Sequence, residues 1–325
     1  MSIIQVDGLV KRFNGFEAVR GVSFEVERGE VFGFLGPNGA GKTTTISMLC
    51  TLMRPSDGTA SLNGHDVLKS PNQVRQSIGL VFQDPSLDER LTAMDNMLFH
   101  AMMYNVPRSD RLGRIAEMLE VVELSDRAND EVKTFSGGMK RRLEIARGLI
   151  HHPTVLFLDE PTIGLDPQTR NHIWTYINKL RKQKSITIFL TTHYMDEAEH
   201  CDRIAIIDHG KIIALDTPAN LKKQVGGDVV SVRTGDNIEA ARQLKQRLQV
   251  EAVADDGNLR FEVRDADQFI PKMVRALDVP VDSVQMRRPT LDDVFLTMTG
   301  RAIREEEASA LDQLRSHARP WRQRH

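Results

Sequence analysis

The chain has 325 residues, 40% hydrophobic and 27% charged, with a formal charge of −2; this is enough for about two packed domains, excludes wholesale disorder and does not mark a nucleic-acid binder. Its two cysteines, Cys50 and Cys201, have no metal spacing and cannot build a disulfide framework, which suits a reducing compartment. No apolar run exceeds six residues even counting glycine (Val31 to Gly36) against the ~20 needed to span a bilayer, and the opening MSIIQVDGLVKRF lacks a secretory apolar stretch, so a cytoplasmic protein is expected.

Short apolar runs alternate with helical patterns over the first two thirds, the mark of a mostly parallel α/β sheet. Strands are predicted at residues 31–35, 78–82, 155–158, 186–190 and 204–207, continuous apolar runs suited to burial on both faces. VFGFL, the first of them, runs into GPNGAGKT, where Gly36, Gly41, Lys42 and Thr43 match G-x4-G-K-[ST] in a strand–loop–helix setting. Such glycines let backbone N–H groups turn inward around phosphate, the lysine adds a point charge to the β/γ-phosphates, and the threonine hydroxyl is a Mg²⁺ ligand. The next helix, with Ile46, Leu49, Cys50 and Met53 on one face, starts there, so its dipole also favours an anion.

The strand at 78–82 ends at Gln83. Residues 92–133 then read as a helical insertion, broken around Asn105, Val106 and Pro107. Met94, Met97, Met102, Met103 and Met118 cluster there, as an adaptable docking surface or as gap-filling core. FSGGMKRRLEIARGLI follows, with Ser136 as N-cap, Gly137 and Gly138 opening the helix, and Met139, Leu143, Ala146 and Ile150 along one face. This is a second glycine-opened helix start, able to clamp another side of a nucleotide.

VLFLDEP ends in Asp159, placed to hold Mg²⁺ through a water, and Glu160, placed to orient and deprotonate the water attacking a γ-phosphate. An acidic pair capping the following helix is the alternative. His193 follows ITIFLTT, so four strands deliver polar groups to one carboxyl edge, where ligands gather in open α/β sheets.

After Pro218 the composition shifts. A strand at VVSVRT, a helix over 237–249 with Ile238, Ala241, Leu244 and Leu248 on one face, strands at 259–263 and 281–286, and a helix between them make a small α+β module. The last 25 residues carry three consecutive glutamates from Glu305, then Arg315, Arg319, Arg322 and Arg324, and read as a frayed helix running into a disordered tail.

In this order and spacing the motifs resemble those of the ATP-binding subunits of ABC transporters. GPNGAGKT resembles Walker A, Gln83 the Q-loop, FSGGMK the signature motif, VLFLDEP Walker B, Gly164-Leu165-Asp166 the D-loop and His193 the switch histidine. Phe135 and Met139 stand where Leu and Gln are common in the family, and neither change removes a phosphate contact. The resemblance implies an α/β P-loop NTPase (ABC ATPase) domain over residues 1–220 with a helical subdomain at about 85–150, a C-terminal α+β accessory domain over 221–300 and a charged tail over 301–325.

It implies ATP and Mg²⁺ as cofactors. Phe13, Gly36, Pro37, Asn38, Gly39, Ala40, Gly41, Lys42, Thr43 and Thr44 would bind nucleotide, Phe13 by stacking on adenine. Ser136, Gly137, Gly138 and Asp166 would complete the site of a second copy in a head-to-tail homodimer. Thr43, Gln83 and Asp159 would serve the metal, and Glu160, His193, Lys42 and Gln83 catalysis.

RRPTLDDVFLTMTGR, with Leu291, Val294, Phe295 and Met298 core-facing, resembles the closing motif of drug-exporter ATPases of the daunorubicin-resistance type. Such subunits pair with a separately encoded transmembrane permease. That implies peripheral attachment at the cytoplasmic face of the membrane and no nucleic-acid partner. The alternative is a soluble ABC ATPase acting on ribosome or DNA.

Overall fold

A computed structural model describes residues 2–84, 86–255 and 257–299. The chain forms two compact units that meet between Thr217 and Pro218.

The first unit opens with a long antiparallel hairpin, β1 (Ser2–Phe13) and β2 (Phe16–Glu27), closed by Asn14 and Gly15, both at positive φ as a two-residue hairpin turn requires. β3 (Val31–Leu35) leads through the glycine loop into α1 (Lys42–Leu49). β4 (Asp57–Leu62) and β5 (His65–Asp66) then complete a sheet of order β2-β1-β4-β5. This antiparallel layer is absent from the strands predicted above, because its alternating polar residues hide it among loop-like composition.

α2 (Pro71–Ser77) precedes β6 (Ile78–Val81), and the helical insertion holds α3 (Ala93–Met103) and α4 (Arg108–Val121). Of its methionines, Met97 and Met118 are buried, whereas Met102 and Met103 are exposed beside an exposed Phe99. α5 (Gly137–Leu149), β7 (Val155–Asp159), α6 (Pro167–Lys184), β8 (Thr187–Thr192), the short α7 (Met195–Ala198), β9 (Arg203–Asp208) and β10 (Lys211–Asp216) finish the unit.

The central sheet has the order β10-β9-β3-β8-β7-β6, parallel except for β10. All predicted central strands are present, β3 with the predicted ends and the others shifted by one or two residues. β6 stops at Val81 because the Phe82 carbonyl is taken by Arg141 instead of the ladder. Between the sheets, Phe189 meets Phe24, Phe32, Phe34 and Phe157 with ring centroids 5.3–5.9 Å apart. Aromatic packing of this kind makes the strands a rigid support for the loops at their carboxyl ends.

The second unit contains α8 (Pro218–Val225), β11 (Asp228–Thr234), α9 (Asn237–Leu248), β12 (Val253–Asp255), β13 (Asn258–Val263), α10 (Ala266–Ala276), β14 (Val281–Arg287) and α11 (Leu291–Thr299). Its antiparallel sheet has the order β12-β13-β11-β14, and Val230, Val232, Leu259 and Phe261 pack with Ala240, Leu244 and Met273. Two expected core positions are corrected. Ile238 is 87% exposed, because α9 turns Ala240, Gln243 and Leu244 inward. Met298 is 36% exposed, while Leu291, Val294 and Phe295 are buried. The predicted charged tail lies outside the described residues.

Candidate nucleotide and hydrolysis site

The glycine loop is shaped by close packing. Gly41 has φ 105, and a Cβ there would stand 2.6 Å from the Ala18 carbonyl oxygen; at Gly36 it would stand 2.3 Å from that of Ile207. Only glycine fits either place without backbone movement, so the loop hugs β2 and β9 and leads into α1. Pro37 and Ala40 are buried, whereas Asn38, Gly39 and Thr43 are exposed and Thr44 is half-buried.

The ends of β3, β7 and β8 meet here. The Lys42 ammonium is 4% exposed; it donates to the Gly36 and Pro37 carbonyls at 2.7 and 3.1 Å and lies 3.2 Å from Glu160 Oε1. His193 Nδ1 is 3.1 Å from Glu160 Oε2. Burial pushes the Glu160 carboxyl up, but the His193 hydrogen bond and the Lys42 charge outweigh it and hold the group below its ordinary value. Glu160 is therefore ionised at neutral pH. Its backbone has φ 46, an unusual conformation for a non-glycine residue.

Thr43 Oγ1 donates to Asp159 Oδ1 at 3.3 Å, and the Thr191 hydroxyl donates to the same oxygen. A hydroxyl and a carboxylate are hard oxygen donors of the kind that hold Mg²⁺ alongside substrate phosphates. Among the described residues, no cluster of three or more His, Cys, Asp or Glu could hold a metal alone, so the phosphates would have to complete any coordination.

The contacts thus bring together Lys42, Thr43, Asp159, Glu160 and His193. Of the expected residues outside the glycine loop, most face solvent. Gln83 is exposed just past β6, and Phe13 is 41% exposed with Lys11 Nζ 5.1 Å from its ring centre. Ser136 and Gly137 are exposed, the Ser136 hydroxyl capping α5 by accepting from Met139 N at 3.3 Å. Gly138 is half-buried, and a Cβ there would meet the Thr169 methyl at 2.5 Å. Asp166 caps α6 by accepting from Thr169 N at 3.0 Å, and the Thr169 hydroxyl holds its carboxyl below the ordinary range.

Three residues escaped the sequence reading. Thr191 braces both acids, since Glu160 N also donates to Thr191 Oγ1 at 3.0 Å and to its carbonyl at 3.2 Å. Two threonines ending an apolar strand were the available signal. Arg141 is buried beneath the Asp159 turn, but sequence alone does not distinguish it from Arg142 beside it.

The third is Glu197 on α7, only 3% exposed. Burial pushes its carboxyl up to about 7, against the Thr192 hydrogen bond and the charges of Arg170 and His193, with Glu160 adding to the rise. The unfolded chain releases this proton near 4.5, so stability falls as pH rises from there through the folded value. Glu197→Gln should therefore match the parent at pH 4 and exceed it by about 2–4 kcal/mol at pH 8 in urea titrations. Equal stability at both pH values would refute this.

Comparison with known proteins fits this geometry. Residues 19–163 match the ABC transporter family, and residues 217–299 match the C-terminal domain of DrrA1-3-like ATP-binding proteins. The daunorubicin/doxorubicin resistance ATP-binding protein DrrA of Streptomyces peucetius is 42% identical, over 91% of this chain and 92% of its own. The chain belongs to the DrrA-type ATP-binding proteins of ABC transporters. The linearmycin resistance ATP-binding protein LnrL of Bacillus subtilis is 38% identical, over 93% of this chain and all of its own. The dimeric cassette MJ0796, solved with ADP and Pi after hydrolysis, superposes with a TM-score of 0.60 at 26% identity, over 66% of this chain and 98% of its own. This DrrA-type chain is thus an ATP-hydrolysing cassette of the exporter class. Among its described residues no helix is long and apolar enough to cross a membrane.

Proposed function

We propose that this cassette powers export of an amphipathic, drug- or antibiotic-like molecule through a separately encoded transmembrane permease. In this reading it works as a homodimer at the cytoplasmic face of the membrane. The observation that carries the catalytic part is the convergence of Lys42, Glu160 and His193 on one buried cluster beside Thr43 and Asp159. The cargo class comes from the relatives, whose names record resistance to daunorubicin, doxorubicin and linearmycin.

Backbone amides of residues 38–44 cradle the phosphates, and Lys42 exchanges its carbonyl partners for β/γ-phosphate oxygens. Thr43, Asp159 and Gln83 would hold Mg²⁺, which neutralises charge on the phosphates when bound. Glu160 orients the attacking water and takes its proton, while His193 fixes the Glu160 carboxylate. Phe13, on the exposed end of the first hairpin, offers its face to adenine. Ser136, Gly137 and Gly138 face the nucleotide of a second copy, and Asp166 shapes the adjoining loop by capping α6. The second unit serves as an accessory module for assembly.

Co-expression with a candidate transmembrane permease tests the reading. The permease should co-purify with the chain, and its ATPase rate in lipid vesicles should rise on adding an amphipathic drug. Failure to bind any permease, together with salt-sensitive binding of RNA or DNA, would overturn it in favour of a soluble ABC ATPase.

A further inference from the structure

The helix that opens with Ser136 carries two consecutive arginines with different fates. Arg142 is half-buried and donates to the Val122 carbonyl and the Tyr176 hydroxyl, each at 2.9 Å. Arg141 is only 6% exposed. A guanidinium has five N–H donors, and here Nε donates to the Pro161 carbonyl at 2.7 Å, Nη1 to the Phe82 carbonyl at 2.6 Å and Glu144 Oε2 at 3.1 Å, and Nη2 to the carbonyls of Asp159 and Glu160 at 3.0 and 3.2 Å. The planar fork thus grips three consecutive carbonyls of the turn that carries the catalytic acid, and one at the end of β6.

That turn is held from two sides. Thr191 takes the Glu160 N–H, and Arg141 takes the carbonyls. Between the two clamps Glu160 keeps its left-handed backbone, φ 46, which a non-glycine residue retains only when its surroundings enforce it. The same helix reaches the segment following β6. Glu144 Oε1 accepts from Ser86 N at 2.8 Å, and Arg147 donates to the Ser86 carbonyl at 2.7 Å.

We propose that Arg141 is a positioning residue for ATP hydrolysis: by clamping the carbonyls of Asp159, Glu160 and Pro161 it aims the Glu160 carboxylate. The proposal rests on the reading of Glu160 as the base. Lysine cannot replace it, since an ammonium keeps the charge but lacks the planar fork that reaches both sides.

The test compares Arg141→Lys and Glu160→Gln, alone and combined, in the full-length chain. Fluorescent-ATP titration and steady-state turnover are measured for each. Arg141→Lys should bind nucleotide within about threefold of the parent and lose about 10- to 100-fold in kcat, the cost of a misplaced catalytic group. Arg141→Lys added to Glu160→Gln should cost little more, because its effect runs through Glu160. Near-parental turnover in Arg141→Lys, multiplying losses in the double variant, or nucleotide binding lost along with turnover would each overturn the proposal, the last marking a plain core support. Near-parental turnover in Glu160→Gln alone would instead overturn the reading of Glu160 as base.

Discussion

Glu160→Gln should retain nucleotide binding and lose about 10²–10⁴-fold in turnover, the usual worth of a positioned general base. The substitution keeps the shape and the hydrogen-bonding length of the side chain. It removes the negative charge that Lys42 and His193 hold ionised at neutral pH. A closed dimer that cannot be resolved by hydrolysis should then accumulate with ATP, visible by size-exclusion chromatography as a shift to twice the monomer mass. Steady-state phosphate release close to that of the parent would show that another group activates the water.

Lys42→Ala acts one step earlier. Its ammonium bonds the Gly36 and Pro37 carbonyls and faces Glu160, so truncation removes the phosphate-seeking charge and leaves a buried carboxylate with one cation fewer. Truncating one partner of a buried, hydrogen-bonded charge pair weakens binding by roughly 10²–10³-fold. Titration with a fluorescent ATP analogue checks this. A dissociation constant within a few-fold of the parent would remove Lys42 from the phosphate site.

The placement of the candidate site was readable because each motif sits where a strand changes into a loop or helix, and apolar runs announce those places. VFGFL before the glycines and VLFL before Asp159 fixed both position and edge. What escaped was tertiary. Thr191 acts through a neighbouring strand, and Arg141 reaches across from a helix whose sequence offers two equivalent arginines. Glu197 owes its shifted carboxyl to burial, which one turn of helix cannot reveal. Ile238 has the right spacing for the α9 core face, yet the helix is rotated so that Gln243 is buried instead, its side chain accepting from Asp278 N at 2.9 Å. The antiparallel first sheet was missed because its strands alternate apolar and polar residues, so continuous runs never appear.

The strand order also governs how the chain is born. Val31 pairs with Ile188, and Phe32 with Phe189 and Arg203, so the strand before the glycine loop waits for neighbours made roughly 150 residues later. At ribosomal speeds of about 5–20 residues per second, VFGFL passes roughly 8–30 s with neither edge paired in its final sheet. During that interval the nascent chain presents apolar, β-prone backbone and has no completed nucleotide cradle. The arrangement that gathers distant residues at one catalytic edge therefore makes synthesis a period of exposure, one in which chaperones have a surface to hold.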